Sequence, residues 1–337
     1  RFLHQFQIEN SLPNKNIPLN DLFFNRMTTL IETSQAYNGW FTKKNVTFSL
    51  QSWAKALTEE NLTQWLLPYS FTKKPKNVGL ILAGNIPLVG FHDLISVLIS
   101  GHNAVVKRSS NDQQLIQFMV DYLITLDSRF AKKVTFIEGK LENFDAVIAT
   151  GSNNTARYFD YYFKDVPNII RKNRNSVAVL TGTETKEELT ALGEDIFRYF
   201  GLGCRNVSKL LVPKEYNFKL FFEAIFPYGD VIHYDKYANN YDYNKAVFLM
   251  SNFKLLDNEF LLLKEDTSYS SPIASLYYER YENLEDALQQ TKNDADKIQC
   301  VVSNSLEKHH ISFGKTQQPQ LWDYADGVDT LAFLNSF

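Results

Sequence analysis

The sequence predicts an α/β protein of two domains, each a parallel sheet with helices on both faces in three αβα layers. Three observations carry that prediction. Short apolar runs alternate with helical patterns along most of the 337 residues, and such alternation builds parallel strands joined by crossover helices. Two of those runs end in a glycine followed by a polar residue, Gly84-Asn85 and Gly151-Ser152, which suits a tight strand-to-helix turn. The chain is also longer than a typical single domain. No proline- or glycine-rich linker divides it. The boundary is placed in the polar stretch "RKNRNS", giving residues 1–174 with a helical, aromatic-rich N-terminal cover, residues 175–310, and a tail, 311–337, that packs back on the first domain.

The elements follow in order. Val78–Ala83 ("VGLILA") reads as a buried strand, Phe91–Ser100 as a helix closed by Gly101, and Ala104–Lys107 as the next strand. Asn111 to Leu126 is an amphipathic helix with Asn111 as N-cap. Strands are expected at Val134–Ile137 and Asp145–Thr150. In the second half the pattern gives a strand at Val177–Leu180, a helix at Lys186–Phe200, a strand at Lys209–Val212, a helix at Asn217–Ile225 and a strand at Val231–Tyr234. "FKLLDNEFLLLKE" reads as a hairpin turning at Asp257-Asn258. Ile273–Tyr278, Asn283–Ile298 and Cys300–Ser303 complete the series as strand, helix and strand.

Composition narrows the function classes. A net charge of −3 lacks the basic footprint of a nucleic-acid-binding protein. Two distant cysteines, Cys204 and Cys300, make no disulfide framework and point to a reducing, cytoplasmic setting. No set of four cysteines and histidines stands at zinc spacing, so no metal is expected. The most apolar run, "IPLVGFHDLISVLISG", is interrupted by His92 and Asp93, so no membrane span is expected. The sequence starts at Arg1, which leaves a removed leader open.

Four stretches could carry chemistry. In "LILAGNIPL" a strand ends at Gly84-Asn85. That puts Asn85 at the carboxyl edge of a parallel sheet, where ligands bind in this class. Its amide could donate to an oxyanion, or simply serve its own turn. In "GHNAVVKRSSND" Lys107, Arg108, Ser109 and Ser110 stand between a strand end and a helix start. Two cations and two hydroxyls there suit a phosphate or ribose, or form a solvated loop with a cap. "VIATGSNNTARYF" places Gly151 and Ser152 at a similar turn. It lacks the last glycine of the dinucleotide fingerprint, and a tight turn explains it equally. The fourth is "FRYFGLGCRNVSKLLVP". Cys204 lies in a glycine-rich bend between a helix and a strand, where a substrate can approach the backbone. A helical turn after it would also favour the thiolate. Cys300, in "IQCVVS", reads as core packing.

Taken in order, "NVGLILAGNIPL", "LISGHNAVVKRSS", "ATGSNNTARYF", "NSVAVL", "FGLGCRNVSKLLV", "SSPIASLYYERYENLEDALQQTKNDADKIQCVVS" and "SFGK" resemble the aldehyde dehydrogenase superfamily over roughly residues 75–315. "GNIPLVGFHDLISVLISGHNAVVKRSSND" and "FGKTQQPQLWDYADGVDT" make the chain most similar to its LuxC-like fatty-acyl-CoA reductases. The resemblance implies an aldehyde-dehydrogenase-like pair of Rossmann-like domains, the first binding a dinucleotide and the second bearing a cysteine nucleophile. It implies reduction of an activated acyl group to an aldehyde. It makes Cys204 the nucleophile and Asn85 the oxyanion-hole amide, working with the Cys204 backbone N–H. Lys107 would hold the cofactor ribose, and Gly151 and Ser152 the turn facing its pyrophosphate.

Three positions depart from the superfamily pattern. Its glutamate base falls near Arg171 or Lys172, where no acid stands. A hydrolytic enzyme needs a base to activate water, whereas a reductase does not. The glutamate that contacts the nicotinamide ribose falls near Ser268, and the acid that binds the adenosine ribose falls at Ser110. With Lys107, Arg108, Ser109 and Ser110 in place of an acid, an extra phosphate on that ribose would be attracted. NADPH is therefore expected over NADH. The resemblance implies an acyl-CoA or acyl-protein thioester as substrate. An acyl-donating partner protein and a homo-oligomer stay open, as do aldehyde oxidation and non-redox acyl transfer through the same cysteine. His309 and His310, just before "SFGK", are either proton donors or surface and packing residues, and His102 is read as capping a helix end.

Overall fold

The computed structural model describes residues 1–8, 11–71, 74–304 and 310–337. The chain divides into two compact units, residues 1–173 with 320–337, and residues 174–319. Residues 311–319, predicted with the tail, stay with the second unit.

In the first unit three helices, α1 (Asn20–Tyr37), α2 (Lys43–Ala56) and α3 (Glu59–Leu66), precede the sheet. Threonine hydroxyls start two of them, Thr42 accepting from Asn45 N and Thr58 from Asn61 N, each satisfying an N–H that the helix leaves unpaired. The sheet then forms from β1 (Asn77–Ile81), β2 (Asn103–Lys107), β3 (Val134–Ile137), β4 (Ala146–Thr150) and β5 (Asn168–Arg171). All pairings are parallel, in the order β3-β2-β1-β4-β5. Between β1 and β4 the direction of winding reverses, and the carboxyl ends of those two strands border the crevice where such sheets bind ligands. One face packs on α4 (Phe91–Ile99), α5 (Gln114–Leu126) and the N-terminal helices, around Leu80, Val106, Leu94, Phe118, Met27 and Leu50. The other packs on Leu141, Phe163 and Phe159 of α6 (Asn153–Tyr162) and its flanks.

β5 was not predicted. "NIIR" shows only two apolar residues before a charged run, too short a signal for alternation. Its last residue, Arg171, is buried and bonds Asp93 Oδ1 at 2.6 Å, Ala325 O at 2.8 Å and Thr330 Oγ1 at 3.0 Å. The C-terminal segment 320–337 thereby docks on this unit, helped by His92 Nε2 on Leu321 O (2.8 Å), Tyr69 OH on Asp329 Oδ2 (2.7 Å) and Trp65 Nε1 on Tyr324 OH (2.8 Å). His102 closes α4 through its main chain, its N–H donating to Val97 O at 3.1 Å after the left-handed Gly101. It is fully buried, its Nδ1 accepts from Lys76 N at 3.0 Å, and its Nε2 therefore donates to Leu334 O at 2.9 Å.

In the second unit β6 (Asn175–Val179), α7 (Lys186–Phe197), β7 (Val207–Pro213) and α8 (Lys219–Ile225) are followed by α9 (Asp235–Met250), β8 (Leu255–Asp257) and β9 (Leu262–Glu265). Next come β10 (Ser275–Tyr281), α10 (Leu284–Asn293) and β11 (Ile298–Val302). The sheet order is β11-β6-β7-β10-β9-β8, parallel except for the predicted β8–β9 hairpin. α7 starts on a capping box, Thr185 with Glu188. The predicted strand at 231–234 is instead part of a 3₁₀ segment, Phe226–His233. Val231 and Ile232 still pack against the core, so their β-branched pattern signalled burial and not extension. α9 went unread because its buried stripe is Tyr237, Tyr241, Asn244 and Phe248, helical in spacing but mostly polar-tipped.

Candidate active site

In the first unit the turn after β1 carries Asn85. The two strand ends touch: Leu82 N donates to Lys107 O at 3.1 Å, and a Cβ on Gly84 would stand 2.5 Å from Ser109 Oγ. Only glycine fits there. Beyond it Asn85 is exposed and Leu88 is buried with a left-handed backbone, φ 59°, a conformation that costs a branched residue about 1–2 kcal/mol. Asp112 holds it there, its Oδ2 accepting from Leu88 N at 2.8 Å while the carboxylate faces the N–H groups of Leu115 and Ile116. Burial pushes this carboxyl up to about 7, against the pull of those three N–H groups, of which only that of Leu88 is within hydrogen-bond geometry. α5 starts at Gln114 with Gln113 at its N-cap position and no side-chain cap bond, so Asn111 is not its cap.

The predicted cofactor residues fall at the same sheet edge. Lys107 ends β2, and its ammonium has no hydrogen-bond or ion-pair partner among the described residues. A ribose hydroxyl or a phosphate fits such an ammonium. Ser109 Oγ accepts from Asn111 N at 3.2 Å, and Ser110 is exposed. Arg108 is engaged: it bonds Gln117 Oε1 at 2.7 Å and Glu138 Oε1 at 2.9 Å and stacks over Phe136. Gly151 follows β4, and Ser152 caps α6 by accepting from Thr155 N at 3.2 Å. Lys172 pairs with Asp160 at 2.9 Å. Neither basic residue at the expected glutamate position is idle, since Arg171 is locked to Asp93.

In the second unit Cys204 follows three consecutive left-handed residues, Tyr199 (φ 55°), Phe200 (φ 57°) and Gly201 (φ 78°). They end α7 short of the predicted Phe200 and reverse the chain. Phe200 stacks on Tyr234, with ring centroids 4.7 Å apart. Strained backbone of this kind persists only where its surroundings over-determine it, and here Asn206 does so. Its side chain is 2% exposed. Its Oδ1 accepts from Gly203 N at 2.9 Å, and its Nδ2 donates to Asp195 O at 3.1 Å and Arg198 O at 2.6 Å. Ser176 Oγ, from β6, donates to Cys204 O at 3.0 Å. Both sides of Cys204 are thus pinned, while the residue itself is half-buried. A single hydrogen-bonded turn spans it, Asn206 N donating to Gly203 O at 3.0 Å. The chain turns at Cys204 and Arg205 and enters β7 at Val207. Cys300 is buried in β11, and Arg205 Nη1 reaches its Sγ at 3.5 Å.

The "SFGK" loop meets the same helix. Asp195, fully buried on α7, accepts from Gly314 N (2.6 Å), Thr316 N (3.0 Å) and Thr316 Oγ1 (2.8 Å). Burial pushes its carboxyl up to about 6 despite those donors. Sequence reasoning missed both Asp195 and Asn206. Ser268 N donates to Asp266 Oδ1 at 2.8 Å. Residue 309 lies outside the described residues.

The model of a family described as acyl-CoA reductase (LuxC) matches residues 47–220, just over half of the chain. Among solved structures, an aldehyde dehydrogenase from Bartonella henselae aligns with a TM-score of 0.61 at 11% identity, over 86% of this chain and 72% of its own. A NAD-dependent benzaldehyde dehydrogenase from Corynebacterium glutamicum gives 0.59 at 11% identity, over 87% and 78%. A Mycobacterium tuberculosis aldehyde dehydrogenase complexed with NAD+ gives 0.56 at 13%, over 85% and 73%. No curated protein sequence matches significantly. The fold is the aldehyde-dehydrogenase-like one predicted. Among the described residues no helix is long and apolar enough to cross a membrane, and no cluster of metal ligands occurs.

Proposed function

Because the chain belongs to the LuxC family of acyl-CoA reductases, we propose that it reduces an acyl thioester, fatty acyl-CoA foremost, to an aldehyde through an acyl group carried on Cys204, with NADPH as reductant. The observation that carries the assignment of the nucleophile is the contrast between the two thiols. Cys204 is accessible in a turn pinned by Asn206 and Ser176, whereas Cys300 is buried in a strand.

The chemistry runs in two halves. The Cys204 thiolate attacks the thioester carbonyl, and the tetrahedral oxyanion accepts from the Asn85 amide and the Cys204 N–H. Collapse expels the coenzyme thiolate and leaves the acyl group on sulfur. NADPH supplies the hydride when bound. Asn85 and the same N–H hold the second oxyanion, which collapses to free aldehyde and the Cys204 thiolate. Lys107 holds the ribose. By the resemblance a hydrolytic base would fall near Arg171 or Lys172; Arg171 is committed to Asp93, Ala325 and Thr330, and Lys172 pairs with Asp160. That supports transfer of the acyl group to hydride and not to water. Preference for NADPH rests on Lys107 together with Arg108, which must exchange Glu138 for the extra phosphate. The first unit is the dinucleotide-binding domain in this reading and the second the catalytic domain.

Incubation with acyl-CoA and no reductant tests the reading. The protein gains one acyl mass on Cys204, Cys204→Ala gains none, and Cys300→Ala behaves as the parent. The acyl-protein is stable in water and yields aldehyde on addition of NADPH. Acylation mapped to Cys300, or rapid release of free acid without NADPH, overturns it. Equal affinity for NADPH and NADH removes the phosphate-reading role of Arg108.

A further inference from the structure

The loop that Asp195 clamps carries a side chain the fold leaves unanswered. Gln317 follows Thr316 directly and is 7% exposed. Its Nε2 is buried, and no described residue accepts from it. An amide taken from water without a partner costs about 1–3 kcal/mol, and native proteins answer nearly all such groups with protein, ordered water or a bound ligand or ion. The position of Gln317 is not slack. Thr316 gives both its N–H and its hydroxyl to Asp195, and Gly314 gives its N–H. Gly314 sits with φ 77°, where a Cβ would come within 3.2 Å of Ala191 O on α7, so the loop is pressed against that helix. The main-chain carbonyl of the same Asp195 accepts from Asn206, whose Oδ1 holds Gly203 N beside Cys204. One residue of α7 thus fixes the Gln317 loop through its side chain and the nucleophile turn through its backbone.

We infer that Gln317 is a ligand-contacting residue of the second unit, its side-chain amide donating to a carbonyl or hydroxyl oxygen of a bound ligand. Two ligands of the proposed reaction offer such an oxygen, the acyl thioester and the nicotinamide nucleotide. The inference rests on the proposed function only for the identity of these ligands. The buried amide asks for an acceptor whichever it is.

Gln317→Met keeps the shape and removes the donor, and Gln317→Glu replaces the donor with an acceptor. Each is compared with the parent in three measurements: melting temperature without ligand, rate of acyl mass gain from acyl-CoA alone, and titration with NADPH or NADH alone. Gln317→Met is expected to melt at or above the parent temperature and to lose about ten-fold in one ligand measurement, the size of one hydrogen bond. Gln317→Glu loses at least as much. Slower acylation with unchanged nucleotide affinity assigns the thioester oxygen, and the converse assigns the nucleotide. Both ligand measurements within two-fold of the parent overturn the inference, as does a lower melting temperature with both measurements reduced alike, since the amide is then a packing group or is served by water. If the parent takes no acyl group but binds nucleotide through Gln317, the inference stands and the proposed function falls. If the parent does neither, both fall.

Discussion

The turn after β1 and the turn before β7 both contain bulky residues in the left-handed region, Leu88 in one, Tyr199 and Phe200 in the other. Each lies within a few residues of a proposed reacting group. They are held in different ways. Leu88 is fixed by one hydrogen bond to a buried carboxylate, Asp112, just before α5. The Cys204 turn is fixed by an uncharged amide that uses both of its hydrogens and its oxygen on three backbone groups. A carboxylate is a strong acceptor whose strength changes with pH, whereas an amide is weaker per bond and indifferent to pH. The nucleophile turn therefore keeps one geometry across pH, and the Asn85 turn has its support tied to a proton.

The largest expected difference comes from removing each brace. Asn206→Ala leaves two carbonyls and one N–H buried without a side-chain partner, and is expected to cost about 3 kcal/mol or more, with Cys204 acylation down by roughly 100-fold as the turn relaxes. Denaturant titration and acyl mass gain measure the two effects. An acylation rate within three-fold of the parent would show that the left-handed turn holds itself. Asp112→Ala removes one bond and leaves the buried Leu88 N–H without its side-chain partner, and about 2 kcal/mol is expected. A cost above that for Asn206→Ala reverses the ranking of the two braces.

Proton linkage separates them further. Asp112 and Asp195 have folded-state carboxyls raised by burial to about 7 and about 6, against an ordinary 3.8. As pH falls the folded protein takes up these protons before the unfolded one. Each group thus adds stability with a slope of up to about 1.4 kcal/mol per pH unit, from its folded value down to about pH 4, and its desolvation penalty is fully present above the folded value. Asp112→Asn is expected to remove the slope that begins near 7, and Asp195→Asn the one near 6, each read as the difference from the parent in denaturant titrations at several pH values. Coincident profiles for Asp112→Asn and the parent would show that its proton is not linked to folding. The smallest effect is expected at Phe200. Phe200→Gly relieves a left-handed penalty of about 1 kcal/mol but forfeits the stack on Tyr234, for a net loss of about 1 kcal/mol by denaturation. A gain in stability would mean that the strain outweighs the stack.

Much of this frame is legible in the sequence because it rests on local signals. The strands with aliphatic alternation, the hairpin at Asp257-Asn258 and the two glycine-marked turns can all be read there, as can the family. The braces cannot. Asn206 looks like any asparagine at a strand entry, and its three partners lie at residues 195, 198 and 203, brought together only when α7 stops early. Asp195 stands within a helix pattern, and the acceptor role of its side chain depends on a loop about 120 residues further on. Arg171 shows the same limit from the other direction. The sequence marks the absence of an acid there, but only the fold shows what the arginine does instead.

The segment 320–337 returns to the first unit after the whole of the second has been passed. In order of synthesis, the first 173 residues emerge with His92, His102 and Arg171 still lacking the partners at Leu321, Leu334, Ala325 and Thr330 that they later bury. The second unit is complete in the chain before those partners leave the ribosome. The insertion thus sets a sequence of events in which the unit bearing Cys204 is free to close first, while the other waits for its last eighteen residues. A nascent chain stalled just before Gln320 would hold a finished nucleophile turn beside an unfinished partner unit, and a protease would find the cleavable chain in the part that was made first.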